Sequence, residues 1–309
     1  MKNHCTRREF LAATGLLLAA APALARPGAP KETTTTPAPE PIIDIHQHTN
    51  YSFRTDAQLL SHQRAMGVTQ TILLPAGALY HLEGNCTGNA AVRDFVLDHP
   101  GEFVCFANEV PDLPGARTEI EKYLKLGALG IGEQKFQIDC DSPGIHLVAD
   151  IAADFGVPIL MHFQHEKYNT HIERMHRILE RHPRVNFIGH AQTWWNNIDR
   201  NCDQKVLYPL GKVTPGGITD RLLSDYPNMY GDLSAGSGLN ALNRDEDFTR
   251  DFLVRHQDKL LFGSDCNDAI GRGPGCQGSR TIETIRRFSA TKAIERKLLH
   301  GNARKMFRL

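Results

Sequence analysis

Apolar and polar positions alternate along the chain in two rhythms from residue 42 to residue 309. Short runs rich in β-branched and aromatic residues predict strands, and longer stretches with apolar residues three or four positions apart predict helices. The predicted strands are Ile42–His46, Val68–Pro75, Phe103–Asn108, Ala128–Phe136, Val157–His162, Val185–His190, Met229–Leu233 and Lys259–Ser264. The predicted helices between them are Thr55–Met66, Asn89–Asp98, Ala116–Leu126, Ile145–Phe155, Thr170–His182 and Thr219–Tyr226. This order is typical of repeated βα units with a parallel sheet.

The number of strands and the length of this region suit one (β/α)8 barrel. Histidine and aspartate residues end several of the strand runs, and in a barrel the carboxyl ends of all the strands meet at one face. A doubly wound sheet is the competing fold, but it would place a ligand at a single switch point and would not gather side chains from four separate strands. We therefore predict an α/β fold, a single-domain (β/α)8 TIM barrel over residues 42–309.

The first 25 residues have the pattern of an export signal. Lys2, Arg7 and Arg8 precede an apolar run over residues 10–21, which is too short to span a bilayer. The segment that contains the two arginines resembles a twin-arginine signal, and an Ala-Leu-Ala sequence ends at Ala25. We expect a twin-arginine-type signal peptide and a periplasmic protein, with an uncleaved anchor helix as the alternative. Residues 26–41 are largely Pro, Thr, Ala and Gly, so we expect a disordered linker there.

The overall composition narrows the choice of partners. Lys and Arg number 35 and Asp and Glu number 35, so the formal net charge is zero and no basic surface is expected to bind a nucleic-acid backbone. We expect a small-molecule substrate, no nucleic acid and no membrane contact after signal cleavage, and a homo-oligomer is left open. All the cysteines except Cys5 follow the signal, too few for a disulfide scaffold at this length. Cys266 and Cys276 are the one pair that we consider for oxidation after export.

Candidate metal ligands end the predicted strands. His46 and His48 lie two positions apart and therefore face the same way on a strand. His162, His190 and Asp265 each follow another apolar run. Imidazole and carboxylate groups are the ligands of zinc-type centres. Polar residues that merely close a strand, and an N-cap role for Asp265, are the simpler alternatives. His165 competes with His162, but His162 directly ends its apolar run.

Four motifs together resemble the amidohydrolase superfamily, in particular its amidohydrolase-related branch, which includes the aminocarboxymuconate-semialdehyde decarboxylase-like enzymes. They are Ile43-Asp44-Ile45-His46-Gln47-His48, Gly189-His190-Ala191, Leu261-Phe262-Gly263-Ser264-Asp265 and Gly301-Asn302-Ala303. The resemblance implies a distorted (β/α)8 barrel. It also implies one or two divalent ions, usually zinc, held by His46, His48, His162 and Asp265.

Glu133 and Lys135 lie two positions apart in the predicted fourth strand, where members of the superfamily carry a bridging ligand. We favour Glu133, because Lys135 would have to be carboxylated before it could bind metal. If either residue bridges, the centre holds two ions. His190 either binds a second ion or acts on the substrate. If neither bridges, the centre holds one ion. The sequence leaves both arrangements open.

The predicted chemistry is hydrolysis by a metal-activated water on a small carboxylate-, lactone- or amide-containing molecule. Asp265 is the expected catalytic base, and His190 polarises the substrate carbonyl or acts as the acid. Trp194, Trp195 and Arg280 are candidate substrate-binding residues in the loops after the strands, with loop packing as the alternative for the two tryptophans. Non-oxidative decarboxylation is the nearest alternative reaction. A non-catalytic metal- or ligand-binding protein is the alternative from another class.

Overall fold

Eight parallel strands form the centre of the fold in the computed structural model, which describes residues 40–77, 82 and 84–309. The strands are β1 (Ile43–Gln47), β2 (Gln70–Leu73), β3 (Phe103–Cys105), β4 (Ile131–Gln134), β5 (Ile159–His162), β6 (Phe187–His190), β7 (Met229–Asp232) and β8 (Leu260–Leu261). Each of them overlaps one predicted run. The predicted signal peptide and all but the last residues of the predicted linker lie outside the described residues.

Neighbouring strands follow the order of the chain. One sheet contains β1, β2 and β3, and the other contains β4 to β8 in sequence. A parallel bridge between Ala107 and Ile131 links the first sheet to the second. At the opposite edges, the backbone N–H of Ile45 donates to the carbonyl of Phe262 at 3.1 Å. The eight strands therefore form a distorted (β/α)8 barrel. This confirms the barrel that the sequence predicted in preference to a doubly wound sheet.

Helices follow the strands and cover the outside of the barrel. Their bounds are α1 (Asp56–Ala65), α2 (Asn89–Asp98), α3 (Ala116–Lys125), α4 (Pro143–Phe155), α5 (Met175–Arg181), α6 (Ala191–Asn196), α7 (Ile218–Asp225), α8 (Ala235–Arg244), α9 (Glu246–Arg255), α10 (Gln277–Phe288), α11 (Lys292–Arg296) and α12 (Asn302–Phe307). The predicted helix over 170–182 is shorter, since it begins with a 3₁₀ turn at Ile172–Arg174 and continues as α5. None of the described helices is long and apolar enough to cross a bilayer.

Local sequence explains where several helices begin. Thr55 caps α1, because its side chain accepts the backbone N–H of Gln58 and the Gln58 side chain accepts the backbone N–H of Thr55. Ser142 caps α4 in the same position, and Pro143 occupies the first turn.

The inner faces of the strands change from apolar to polar along their length. Leu160 and His162 lie two positions apart on β5, as do Ile188 and His190 on β6. Leu160 and Ile188 belong to a buried cluster that packs against Phe307 of α12. The histidines follow at the carboxyl ends of the same strands. The apolar layer therefore supports the polar groups above it and fixes the direction in which they point.

Candidate metal centre

Four buried side chains from separate parts of the barrel converge on one point. His46 and His48 come from the end of β1, Glu133 from β4 and Asp265 from the segment after β8. His46 Nε2 lies 3.2 Å from His48 Nε2 and 3.7 Å from Glu133 Oε2. His48 Nε2 lies 3.5 Å from the same Glu133 oxygen. Asp265 Oδ1 lies 3.8 Å from His46 Nε2 and 3.6 Å from His48 Nε2. We call these four residues the donor cluster.

The spacing of the donor cluster fits a divalent ion at its centre. Zinc binds imidazole nitrogen and carboxylate oxygen at about 2.0–2.2 Å, and a tetrahedron of that size has edges of roughly 3.3–3.6 Å. The separations given above run from 3.2 to 3.8 Å and so span that range. The structure thus brings together the four residues that a metal ion would need.

Hydrogen bonds between β1 and the segment after β8 hold Asp265 against the histidine pair. Asp44 Oδ1 accepts the backbone N–H of Ser264 at 2.8 Å and that of His46 at 3.1 Å. The backbone N–H of Asp265 donates to the carbonyl of His46 at 2.8 Å. Asp44 is therefore a positioning residue in the first motif, and its own carboxylate does not join the donor cluster.

Each histidine of the β1 pair is oriented through its other ring nitrogen. His46 Nδ1 lies 2.7 Å from Asp232 Oδ2, and His48 Nδ1 lies 2.7 Å from the carbonyl oxygen of Leu74. Such partners fix the ring and leave Nε2 for the ion. The sequence analysis missed Asp232. The available signal was its place at the end of β7, which matches the place of the other candidates on their strands.

His162 and His190 lie on the other side of the same carboxylates. They pair directly across β5 and β6. His162 Nδ1 is hydrogen-bonded to Glu133 Oε1, and His190 Nε2 lies 3.7 Å from that oxygen and 3.5 Å from Asp265 Oδ2. Glu133 and Asp265 each direct one oxygen towards the His46–His48 pair and the other towards His190. This arrangement fits either one ion or two ions bridged by carboxylates.

His190 Nε2 is a buried nitrogen that has no hydrogen-bond partner within the described part of the chain. The opposite ring nitrogen, Nδ1, lies 3.2 Å from Asp232 Oδ2 and 3.0 Å from Ser234 Oγ. Burying a polar group without a partner is costly. His190 Nε2 therefore faces a position that a second ion or a substrate oxygen would occupy.

Comparison with known proteins agrees with this geometry. The sequence model of the amidohydrolase family matches residues 43–309. The chain belongs to the amidohydrolase family. The family is one of metal-dependent enzymes, and the predicted resemblance is confirmed. A search of curated proteins gives no sequence match to this amidohydrolase.

Solved structures with the same fold include decarboxylases and a hydrolase. The 2,6-dihydroxybenzoate decarboxylase from Rhizobium is 15% identical, with a TM-score of 0.61 over 87% of this chain and 99% of that chain. A probable 2-pyrone-4,6-dicarboxylic acid hydrolase from Acinetobacter baumannii is 12% identical, with a TM-score of 0.59 over 87% and 99%. The 5-carboxyvanillate decarboxylase from Sphingomonas paucimobilis is 15% identical, with a TM-score of 0.51 over 81% and 82%. At these identities the likeness concerns the fold alone.

Electrostatics in the centre of this amidohydrolase favours cations. Burial opposes protonation of His46, but the carboxylates of Asp265 and Asp232 raise its pKa well above the usual value. Burial and His46 oppose protonation of His190, yet Asp232 and Asp265 raise its pKa. Burial disfavours the charged form of Glu133, but His162, which is hydrogen-bonded to it, and the neighbouring His46 and His48 hold the pKa of that carboxyl well below its ordinary range. A divalent ion would satisfy the same negative charge.

The pKa of His162 shifts in the opposite direction to that of His46 and His190. Burial lowers the pKa of His162 to about 4, against the influence of Glu133. Its ring is therefore neutral at about pH 7, which is the form that a metal ligand needs.

The structure separates the two alternatives on the fourth strand. Glu133 lies between the histidines, whereas Lys135 lies beyond the end of β4 with its Nζ 5.6 Å from the centre of the Tyr168 ring. His165 lies outside the donor cluster, with Nε2 3.4 Å from Glu166 Oε1. Of the alternatives left open by the sequence, the structure places Glu133 and His162 at the centre of this amidohydrolase.

The structure also gives the positions of the three candidate substrate-binding residues. Trp194 and Trp195 were expected in a loop, and this is wrong because they lie in α6. Both are buried, with the Trp194 ring stacked on Phe163 and Trp195 Nε1 donating to the carbonyl of Asp232 at 2.9 Å. This burial favours packing, and their contact with substrate stays a prediction. Arg280 is exposed on α10, and its role also stays a prediction.

Tyr51 is a further residue at the centre that the sequence analysis missed. The centre of its ring lies 5.3 Å from the centre of the His48 ring, in an edge-on arrangement. The charges of Asp265 and Glu133, together with burial, raise the pKa of Tyr51, so the phenol stays protonated. Its position three residues after His48 is a weak signal, because a tyrosine near a strand end is common on packing grounds alone.

Proposed function

We propose that this amidohydrolase hydrolyses a lactone or amide bond in a small molecule that carries a carboxylate. The observation that carries the proposal is the placement of Asp265. One of its oxygens belongs to the donor cluster, and the other lies 3.5 Å from His190 Nε2. A reacting group between them would contact a base and an acid at the same time.

The donor cluster is the site that would hold the ion. When bound there, a divalent ion polarises a substrate oxygen and lowers the pKa of an adjacent water. The nitrogen and carboxylate donors, at tetrahedral spacing, support zinc as our choice of ion. His162 and His190 would complete a second site if two ions bind, with Glu133 and Asp265 shared between them.

The residues of the chain supply the proton transfers. Asp265 accepts the proton of the attacking water and returns it to the leaving group. His190 donates from Nε2 to the substrate carbonyl oxygen, because Asp232 and Ser234 hold its Nδ1 on the far side. Tyr51, whose phenol the charge of Asp265 keeps protonated, would donate to that carboxylate and keep it oriented.

Two observations support a carboxylate in the substrate. The solved neighbours are named for acids, namely dihydroxybenzoate, pyrone dicarboxylic acid and carboxyvanillate, and the hydrolase from Acinetobacter baumannii has citric acid bound. In this chain Lys135 Nζ lies 5.6 Å from the centre of the Tyr168 ring, and that ring lies 5.5 Å from the His162 ring, so a cation stands near the centre. We propose Lys135 as the group that pairs with the substrate carboxylate.

Decarboxylation is the second candidate reaction. It is favoured by His190, since a protonated imidazole directed into a buried centre is suited to give a proton to carbon as carbon dioxide leaves. In that case Asp265 would remain a ligand and would not act as a base. The product therefore distinguishes the two reactions, because hydrolysis adds water to the substrate and decarboxylation removes its carboxylate.

The test is a substrate screen with mass spectrometry. Purified protein loaded with zinc or manganese is incubated with lactones, amides and aromatic acids that carry carboxyl groups. Addition of water to the product supports hydrolysis, and release of carbon dioxide supports decarboxylation. Asp265→Asn should lower hydrolytic turnover by orders of magnitude with the fold intact. Unchanged turnover in this variant would remove Asp265 from its role as base, and no turnover of any acid with a fully loaded centre would favour a non-catalytic binding protein.

Export through the twin-arginine route remains part of the proposal. It rests on the sequence of residues 1–25 alone. Expression of the full chain followed by N-terminal sequencing of the periplasmic product tests it, with Arg26 expected as the first residue. A variant with Arg7 and Arg8 both changed to Lys should remain in the cytoplasm, and its export at the wild-type level would contradict the assignment.

A further inference from the structure

A second group of metal-binding side chains lies apart from the donor cluster. His62 belongs to α1 and Met66 follows that helix, while Cys266 and Cys276 belong to the segment between β8 and α10. Cys276 Sγ lies 3.9 Å from Cys266 Sγ, 3.4 Å from His62 Nε2 and 3.7 Å from Met66 Sδ. All four side chains are buried. We call them the sulfur cluster.

The distances within the sulfur cluster match those of a tetrahedral thiolate centre. With metal–sulfur bonds of about 2.3 Å and metal–nitrogen bonds of about 2.0–2.1 Å, the expected edges are roughly 3.8 Å between two sulfurs and roughly 3.6 Å between sulfur and nitrogen. The observed sulfur–sulfur separations are 3.9 and 3.7 Å, and the sulfur–nitrogen separation is 3.4 Å. The three separations from Cys276 therefore match the edges of such a tetrahedron, and the donor atoms of His62, Cys266 and Cys276 all lie within 4.8 Å of one another.

The surroundings also suit a bound cation. The backbone N–H of Ser279 donates to Cys276 Sγ at 3.3 Å, and the N terminus of α10 begins directly after Cys276. Both features stabilise negative charge on that sulfur. His62 Nδ1 has no hydrogen-bond partner in the described part of the chain, and Asp268 Oδ2 lies 4.0 Å from His62 Nε2. Two thiolates would balance a dication, so the buried complex would carry no net charge.

We propose that His62, Met66, Cys266 and Cys276 form a structural site for one thiophilic d10 cation, Zn²⁺ or Cu⁺. Thiolate and thioether sulfur select such ions, and four protein ligands leave no open position for substrate. This site is separate from the donor cluster, whose ligands are nitrogen and oxygen alone.

The consequence of such an ion would be mechanical support for the catalytic segment. Cys266 directly follows Asp265, and its carbonyl accepts hydrogen bonds from Gln47 Nε2 at 2.8 Å and from Arg54 at 2.7 Å. The ion would add a link from the same segment to α1. It would thereby fix the backbone that carries Asp265 without touching substrate.

A disulfide between Cys266 and Cys276 is the competing use of the two thiols. Their sulfurs are 3.9 Å apart, which is a non-bonded contact, whereas a disulfide bond is about 2.0 Å long. Oxidation would also leave the contacts of Cys276 Sγ with His62 and Met66 without a function. The two alternatives differ in metal content and in the number of free thiols.

The experiment measures metal per chain and the absorption of the cobalt-substituted protein. The variants are Cys276→Ser, the donor-cluster variant His46→Ala/His48→Ala, and the matched control Cys140→Ser, which alters another buried cysteine. Zinc-loaded wild type should hold at least one ion more than Cys276→Ser, and Cys140→Ser should equal wild type. Cobalt should give a thiolate charge-transfer band in the wild type and in His46→Ala/His48→Ala, and no such band in Cys276→Ser. Loading with Cu⁺ under nitrogen, followed by elemental analysis in competition with zinc, identifies which of the two ions the site prefers.

Three results would overturn the proposal. One is the absence of both a thiolate–cobalt band and bound Cu⁺ in the donor-cluster variant His46→Ala/His48→Ala, which does not depend on whether Cys276→Ser folds. Another is equal metal content in folded Cys276→Ser and wild type. The third is a loss of two reactive thiols in denatured, unreduced protein that holds no metal at the site, which would assign the pair to a disulfide.

Discussion

Asp232 Oδ2 lies 2.7 Å from His46 Nδ1 and thereby joins the end of β7 to the end of β1. The same oxygen is 3.2 Å from His190 Nδ1 and accepts the hydroxyl of Ser234 at 2.7 Å. Burial disfavours the charged form of Asp232, but His46 and His190 lower its pKa, so it is an anion in the folded protein. One carboxylate outside the donor cluster therefore orients two of the histidines that face the centre.

Asp232→Asn should weaken metal binding without unfolding the protein. An amide cannot supply the negative charge that holds His46 and His190, and loss of such a partner typically lowers metal affinity by about 10–100-fold. Competition with a chelator of known affinity measures the change. Asp225→Asn, on the exposed side of α7, is the matched control and should leave affinity unchanged. Equal affinity in Asp232→Asn and wild type would show that the hydrogen bond has no influence on the metal.

His190→Asn should separate metal binding from turnover. If His190 acts on substrate, the variant keeps the ion of the donor cluster and loses about 10²–10⁴-fold in kcat. Metal per chain and kcat are measured on the same preparation. A parallel loss of one equivalent of metal would instead identify His190 as a ligand of a second ion.

Lys135→Met should raise KM for acidic substrates more than it lowers kcat. The reason is that Lys135 would contribute binding to a carboxylate that is present in the ground state and in the transition state alike. Lys125→Met, at an exposed position of α3, is the control. A neutral amide or ester of the same substrate should bind equally well to Lys135→Met and to Lys125→Met. An unchanged KM of Lys135→Met for the acid would refute this role for Lys135.

Gly189→Ala should destabilise the barrel next to His190. A Cβ at this position would lie 2.4 Å from the Trp194 ring, which is buried and cannot move away. Overpacking of this kind costs about 1–3 kcal/mol in the free energy of unfolding. Gly275→Ala is the control, since its Cβ would meet only Asp268 Oδ1 at 3.9 Å. Urea denaturation that gives equal midpoints for the two variants would contradict the packing argument.

Asp220 should make stability depend on pH in the acid range. Burial opposes its ionisation, but His256 and Arg255 lower the pKa of Asp220 to about 2 from 3.8. Its folded pKa is below the unfolded value, so its contribution is complete above the unfolded pKa and is lost as the pH falls through the folded pKa. With allowance for the partial exposure of Arg255, the contribution is about 1–2 kcal/mol.

Comparison of wild type with Asp220→Asn tests this linkage. The difference in the free energy of unfolding should be largest above about pH 5 and should narrow towards about pH 2. A constant difference across that range would mean that the ion pair does not contribute. Metal ligands do not enter this comparison, because Asp220 lies on α7 and pairs with α9 and the residue that follows it.

Local patterns were sufficient for much of the barrel. Each predicted strand overlaps an observed one, because burial on both sides leaves near-continuous apolar runs that stand out in a sequence. The helices after β7 and β8 were not predicted. In α8 the sequence Ala-Gly-Ser-Gly contains two glycines and reads as a loop, yet the helix forms because Leu239 and Leu242 pack into the core.

The candidate metal ligands were likewise accessible from local patterns only in part. His46, His48, His162, His190 and Asp265 could be named because each follows its own apolar run, and Glu133 was favoured over Lys135 on chemical grounds. Asp232 and Tyr51 could not be assigned, because their function depends on which side chain faces them across the barrel. The two tryptophans were placed in a loop, since nothing in their neighbourhood reveals a short buried helix.

Local patterns in the chain were enough for the βα order, the residue types at the strand ends and hence the family. These features depend on local periodicity and on the composition of short motifs. The tertiary structure decided the shared carboxylate of Asp232, the contact between Asp265 and His190, and the sulfur cluster formed by α1 and the segment before α10. Each of these contacts joins residues that are far apart in the chain. The packing of the whole barrel brings such residues together, and no local pattern contains that information.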